Sequence, residues 1–111
     1  MDIQLKFSMF SGEQKDWVRW SRTFMAKAKL RGYKEVLTGK ETAPTQNEQD
    51  YEDWLLKNDT AYAELLISCP TDICFGIIDN CKTAELPDGD AQNAWKSLNE
   101  KFEPKTKANL I

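Results

Sequence analysis

The sequence predicts an all-α bundle of four to five helices preceded by an extended N-terminal arm or short strand. Apolar side chains recur at intervals of three and four residues in several segments, which is the spacing of one helix face. Strict alternation of apolar and polar residues, typical of a strand, occurs only in residues 3–9. Hydrophobic residues make up 41% of the 111 residues, so residues 1–111 can form one small domain.

The arm comprises residues 1–10. Polar residues separate its apolar positions, which are Ile3, Leu5, Phe7 and Met9. Two interpretations stay open for it. The arm lies extended across a helical core, or its edge pairs with a strand of another chain.

The helical core is expected over residues 11–103. The first helix should begin at a capping box formed by Ser11 and Gln14 and end at Gly32. A short turn or helix follows over residues 33–37. The side chains expected to form the core are Trp17, Trp20, Phe24, Trp54, Tyr62, Leu65, Trp95, Leu98 and Phe102.

A second capping box, formed by Thr45 and Glu48, should open the strongest helical pattern of the chain. That pattern predicts a helix of about 22 residues ending near Pro70. Asn58 falls on its apolar face, where a polar side chain needs a hydrogen-bond partner. Another short helix is expected over residues 73–81.

The last complete helix should follow a loop and be capped by Asp88 or Asp90. Pro104 then interrupts the pattern, and residues 105–111 resemble the opening of a further helix. We therefore expect the chain to be a segment of a longer protein.

Charge is distributed unevenly along the chain. Residues 1–40 hold nine basic and four acidic residues, net +5, whereas residues 41–100 hold three basic and thirteen acidic residues, net −10. Such an asymmetry favours head-to-tail association between copies or nucleic-acid contact through the basic front, although two ordinary solvated helix faces would show it too. The candidate self-association residues are Lys15, Arg19, Arg22, Glu48, Glu52 and Asp53.

The composition argues against an enzyme. The chain has no histidine, the commonest general base and metal ligand. Its cysteines, Cys69, Cys74 and Cys81, lack the spacing of a zinc or redox pair and are expected to be buried apolar residues. We therefore expect no catalytic, cofactor-binding or metal-binding residues and no small-molecule substrate. No apolar run approaches membrane-spanning length and no secretory signal opens the chain, which favours a cytosolic protein.

Several residues in order resemble the start of the Gag polyprotein of copia-type LTR retrotransposons. The resemblance extends from about Phe7 to Lys107, with a departure at residues 85–92, where the family runs directly into its Trp-containing helix. The matching positions are Phe10-Ser11-Gly12, Trp17-x-x-Trp20-Ser21, Phe24, Gly32-Tyr33, Leu37-x-Gly39, Pro44, Trp54, Asp59, Ala61, Ser68, Thr83-Ala84, Ala94-Trp95-x-x-Leu98 and Phe102.

This resemblance implies a structural protein similar to the N-terminal lobe of a capsid. Such a Gag forms cytoplasmic virus-like particles and packages element RNA, mainly through regions beyond this chain. The partner of this lobe would then be itself, as a homo-oligomer in the full-length protein.

Two other binding functions compete with this one. A peptide- or protein-binding adaptor from a domesticated Gag would use the alternating arm. Direct RNA binding by the basic front is disfavoured by the pI near 5.0, and it would require an affinity that falls steeply with salt.

Overall fold

The computed structural model describes residues 8–105, which form five helices and no strand. The predicted all-α class is therefore confirmed for this part of the chain. The helices are α1 (Gln14–Arg31), α2 (Lys34–Thr38), α3 (Tyr51–Ser68), α4 (Asp72–Asp79) and α5 (Ala91–Phe102). None of the helices in this range has both the length and the apolar character needed to cross a membrane.

The last helix within residues 8–105 lies at the centre of the bundle. Helix α5 packs against α2, α3 and α4. Its aromatic rings also reach α1, because the ring centroids of Trp95 and Phe102 each lie 5.6 Å from that of Trp17. The N-terminal and C-terminal parts of the chain therefore share one core.

An aromatic cluster forms one end of this core. Phe10 lies 5.3 Å from Trp17 and 4.9 Å from Phe102, measured between ring centroids. The nine side chains that the sequence places in the core are at most 8% exposed. Trp54 is buried outside the main cluster, where its indole N–H donates to the carbonyl oxygen of Glu41 at 3.2 Å.

The capping box expected at Ser11 and Gln14 does not form. Helix α1 begins at Gln14, and Glu13 is its N-cap residue. The hydroxyl of Ser11 accepts the N–H of Glu13 at 3.1 Å and donates to the carboxylate of Asp16 at 2.7 Å. Because these local bonds occupy the hydroxyl before the helix starts, Ser11 shapes the turn that leads into α1 instead of capping it.

The prediction that Thr45 and Glu48 form a capping box at the start of a helix is also wrong. The carboxylate of Glu48 accepts both the N–H of Thr45, at 3.3 Å, and its hydroxyl, at 2.5 Å. The hydroxyl therefore donates where a cap would accept, and the two residues close a turn. Helix α3 starts at Tyr51 and spans 18 residues, fewer than the 22 expected.

Other predicted helix ends agree with the structure. Gly32 ends α1 with a positive φ of 88°, and its N–H bonds to the last turn. Of the two aspartates considered for α5, Asp90 is the cap, since its carboxylate accepts the N–H of Asn93 at 3.1 Å. The further helix expected at residues 105–111 falls almost wholly outside the described residues.

Candidate functional site

The basic residues predicted for self-association lie on the outer face of α1. Lys15, Arg19 and Arg22 are all exposed. Lys15 lies 3.5 Å from the carboxylate of Glu13, and both side chains remain largely in solvent. The guanidinium of Arg22 bonds both carboxylate oxygens of Glu103 at 3.3 Å. Arg22 is therefore already engaged within the chain.

Glu103, which directly follows α5, forms hydrogen bonds with two residues of α1. Besides Arg22, the indole N–H of Trp17 donates to its carboxylate at 2.9 Å. The Arg22 guanidinium, helped by this indole N–H, holds the pKa of Glu103 below its ordinary value. The pair thus ties α1 to the residue that follows α5, which is a structural role that the sequence did not indicate.

The acidic residues predicted for self-association lie at and just before the start of α3. Glu48, Glu52 and Asp53 are exposed. The bonds from Thr45 lower the pKa of the Glu48 carboxyl. Glu52 and Asp53 occupy the first turn of α3, where the helix dipole favours negative charge.

The basic and acidic faces lie at opposite ends of α3. The N–H of Phe10 donates to the carbonyl oxygen of Ser68 at 2.8 Å, so the chain enters α1 beside the C-terminal end of α3. Sixteen residues of helix separate Glu52 from Ser68, about 24 Å. The two faces therefore lie apart on one copy of the chain.

The predicted strand-pairing arm is described only at its last residues. Ile3, Leu5 and Phe7 lie outside the described residues, and Met9 is 57% exposed. The carbonyl oxygen of Ser8 accepts the indole N–H of Trp20 at 2.7 Å. Together with the buried ring of Phe10, this bond fixes where the arm leaves the helical core.

A groove on the N-terminal half of α3 is a concave surface that the sequence did not predict. It consists of two adjoining cavities of about 370 and 190 Å³, which share Tyr51, Glu85 and Leu86. Side chains of α3 form its floor, and the loops before α3 and before α5 form its walls. Its lining is Ala43, Pro44, Thr45, Gln46, Tyr51, Trp54, Leu55, Asp59, Glu85, Leu86, Pro87 and Asp88.

The buried Asn58 holds one wall of this groove in place. Its side-chain amide donates to the carbonyl oxygen of Gly89, and its side-chain oxygen accepts the N–H of Ala91, both at 2.9 Å. The partner that the sequence required for Asn58 is therefore the backbone of the loop before α5. Gly89 also passes so close to the ring of Tyr62 that a Cβ atom there would overlap it.

The opposite wall is tied to α3 through Glu41. The indole N–H of Trp54 donates to the carbonyl oxygen of Glu41, and the ammonium of Lys57 bonds its carboxylate at 3.2 Å. The bonds between Thr45 and Glu48 close the turn at the far end of this wall. Both walls are therefore held by the protein itself, so a ligand would not have to order them.

The groove combines an apolar floor with acidic edges. Asp59, Glu85 and Asp88 line it, and none of its lining residues is basic. Asp59 is exposed. The surface suits an extended segment with apolar side chains and a positive charge. The sequence feature related to it is the departure at residues 85–92, which supplies the wall containing Leu86 and Pro87 but did not by itself indicate a groove.

The described residues contain no group of three or more acidic or cysteine side chains placed to hold a metal ion. The three cysteines are free and buried. Burial raises the pKa of the Cys69 thiol, which disfavours the reactive thiolate.

Comparisons with protein-family models, with curated proteins and with solved structures found no match to this chain.

Proposed function

We propose that this chain is a structural self-association module, the N-terminal capsid lobe of a copia-type Gag. Its resemblance to the start of that polyprotein and its all-α fold support the proposal. In the full-length protein, repeated copies would form a cytoplasmic virus-like particle that packages element RNA, mainly through regions outside this chain. No bond chemistry and no cofactor take part in the proposed mechanism.

The observation that carries the proposal is the separation of opposite charges on the bundle. Lys15 and Arg19 lie near one end of α3, and Glu52 and Asp53 lie at its other end. A contact between unlike surfaces of two copies leaves one unused surface on each copy, so the contact can repeat.

Each such contact can be weak. A dissociation constant of about 1 mM corresponds to about −4 kcal/mol. Linking many lobes in one assembly raises the effective concentration of the next contact, so a particle can form from millimolar contacts.

Light scattering across a concentration series tests the proposal. We expect the solution mass to rise from the 12.8 kDa monomer between micromolar and near-millimolar chain, and to rise less at high salt because ions screen exposed charges. A mass that stays monomeric to about 1 mM at low salt would contradict self-association by this lobe.

The groove on α3 favours one second candidate, a peptide-binding adaptor. Its ordered walls and acidic edges suit a short apolar peptide that carries a Lys or Arg. An adaptor of this kind would stay monomeric while the fluorescence of Trp54, in the groove floor, changes saturably with added peptide. Rising mass without any response to such peptides would argue against the adaptor.

A further inference from the structure

The arm and the groove on α3 have complementary chemistry. The groove presents Tyr51, Trp54 and Leu86 between acidic edges. Residues 1–7 alternate the apolar Ile3, Leu5 and Phe7 with polar residues, among them the acidic Asp2 and the basic Lys6. An extended segment with this alternation directs its apolar side chains to one face, which is the shape that a narrow apolar groove receives.

We propose that this groove receives residues 1–7 of a second copy of the chain. The inference rests on the proposed self-association and names the contact that produces it. The apolar side chains of the arm lie against the groove floor, and Lys6 adds a positive charge near Asp59, Glu85 and Asp88. The arm thereby supplies apolar burial to a contact otherwise made by exposed charges, which are individually weak.

The placement of the arm favours a second copy over the arm's own chain. The described part of the arm ends at Ser8, which is held beside Trp20, while Phe10 is held at Ser68. From Ser68 back to Trp54, α3 measures about 21 Å. Seven fully extended residues span at most about 25 Å, so within one chain nearly the whole arm would be used to reach the groove. The arm of a neighbouring copy does not have to cross this distance, so all seven of its residues are available to lie in the groove.

In the neighbouring copy, the end of the bundle from which the arm leaves also carries Lys15 and Arg19. Glu52 and Asp53 follow Tyr51, which lines the groove. The arm contact and the charge contact therefore join the same two ends of successive copies. Each contact favours the register in which the other forms.

Complementation between two full-length variants tests the inference. An arm variant carries Ile3→Ser, Leu5→Ser and Phe7→Ser, so it keeps its groove but cannot donate an arm. A groove variant carries Leu86→Asp, so it keeps its arm but cannot accept one, and Tyr51→Ala provides a second, milder groove variant. The matched controls are Gln4→Ser in the arm and Leu56→Asp on the outer face of α3, where Leu56 is 66% exposed.

We expect each variant alone to associate at least tenfold more weakly than the wild type, while both controls associate normally. An equimolar mixture of arm and groove variants should form a heterodimer of about twice 12.8 kDa and stop there, because it allows a single arm–groove contact. Circular dichroism of each variant checks that the helices are retained.

Three results would overturn the inference. Association that survives both variants would refute the arm–groove contact while leaving the proposed function intact. Association lost in the groove variants but kept in the arm variant would show that another segment occupies the groove. A wild-type chain that stays monomeric to about 1 mM would refute the proposed function and this contact together.

Discussion

Asn58 and Ala91 are joined by a hydrogen bond of 2.9 Å between a side-chain oxygen in the middle of α3 and the first N–H of α5. The same side chain donates to Gly89, so one buried amide holds both sides of Asp90. The loop that forms a wall of the groove therefore owes its position to a polar residue inside the core.

Replacing Asn58 by alanine should destabilise the fold. The substitution leaves the carbonyl of Gly89 and the N–H of Ala91 buried without partners, at a cost of about 2 to 4 kcal/mol in the free energy of unfolding. Urea denaturation followed by circular dichroism measures the change. The matched substitution Asn93→Ala, at an exposed position of α5, should shift it by less than about 0.5 kcal/mol. Equal effects of the two substitutions would contradict the role given to Asn58.

Gly89→Ala should destabilise more than Gly32→Ala. Both glycines have positive φ, 128° and 88°, so alanine is strained at both, by about 1 to 2 kcal/mol. At Gly32 a Cβ atom meets nothing within 4 Å, whereas at Gly89 it would overlap the ring of Tyr62. We expect Gly89→Ala to cost at least about 1 kcal/mol beyond Gly32→Ala in the same denaturation experiment. The reverse order would show that the loop accommodates a side chain.

The contact between Arg22 and Glu103 should contribute to stability at neutral pH and not in acid. Arg22, and then Trp17, lower the pKa of the folded-state carboxyl. The contribution is therefore present above the unfolded-state pKa of about 4.3 and is lost as the pH falls through the lower folded-state value. Since the carboxylate is 38% exposed, we expect less than about 1 kcal/mol. A double-mutant cycle with Arg22→Gln and Glu103→Gln, measured at pH 7 and pH 3, tests this. A coupling energy that grows toward pH 3 would contradict it.

The cysteines should react slowly in the folded chain. Cys69 and Cys74 are fully buried and Cys81 is 5% exposed, so a thiol reagent reaches them only when the structure opens. We expect modification by an aromatic disulfide at pH 8 to be at least about 100-fold slower than in guanidinium. A cysteine introduced by Asn93→Cys, at an exposed site, should react at the unfolded rate. Rapid modification of the wild-type chain would mean that its core opens readily.

Charge reversal should weaken self-association and a second reversal should restore it. Lys15→Glu with Arg19→Glu, or Glu52→Lys with Asp53→Lys, replaces attraction between copies by repulsion. Because exposed pairs contribute little each, we expect about a three- to tenfold loss in association constant. Light scattering at low salt measures it. An equimolar mixture of the two reversed chains should recover most of the loss, because every contact between unlike chains again joins opposite charges, and one chain carrying all four changes should recover it too.

Lys96→Glu, on exposed α5 surface, is the matched single-charge control and should leave the association constant unchanged. Arg22 is left out of the test because its reversal would also break the bond to Glu103. If the four-change chain stays as weak as either pair, these charges do not meet each other.

Helix content and core were predictable because the signals are local. The spacing of Trp17, Trp20 and Phe24 marks one face of α1 whatever the rest of the chain does, and all three are buried. Asn58 could be recognised as needing a partner, but its partners lie 31 and 33 residues away, and no local pattern identifies them.

Helix starts were harder to predict because a hydroxyl has several possible partners. Ser11 and Thr45 both fit a capping pattern, yet each hydroxyl donates to a nearby carboxylate, Asp16 or Glu48. Asp90, one of the two expected caps, accepts the N–H of Asn93 and caps α5.

The sequence by itself determined that the chain forms helices, which side chains they bury, and that positive charge precedes negative charge. Tertiary structure alone decided that the two charged faces lie at opposite ends of α3, that Arg22 is occupied by Glu103, and that two loops enclose an aromatic groove. The physical reason is that helix periodicity depends on residues three and four apart. A groove or an ion pair between distant residues depends on how the helices pack, which brings together residues as far apart as Arg22 and Glu103.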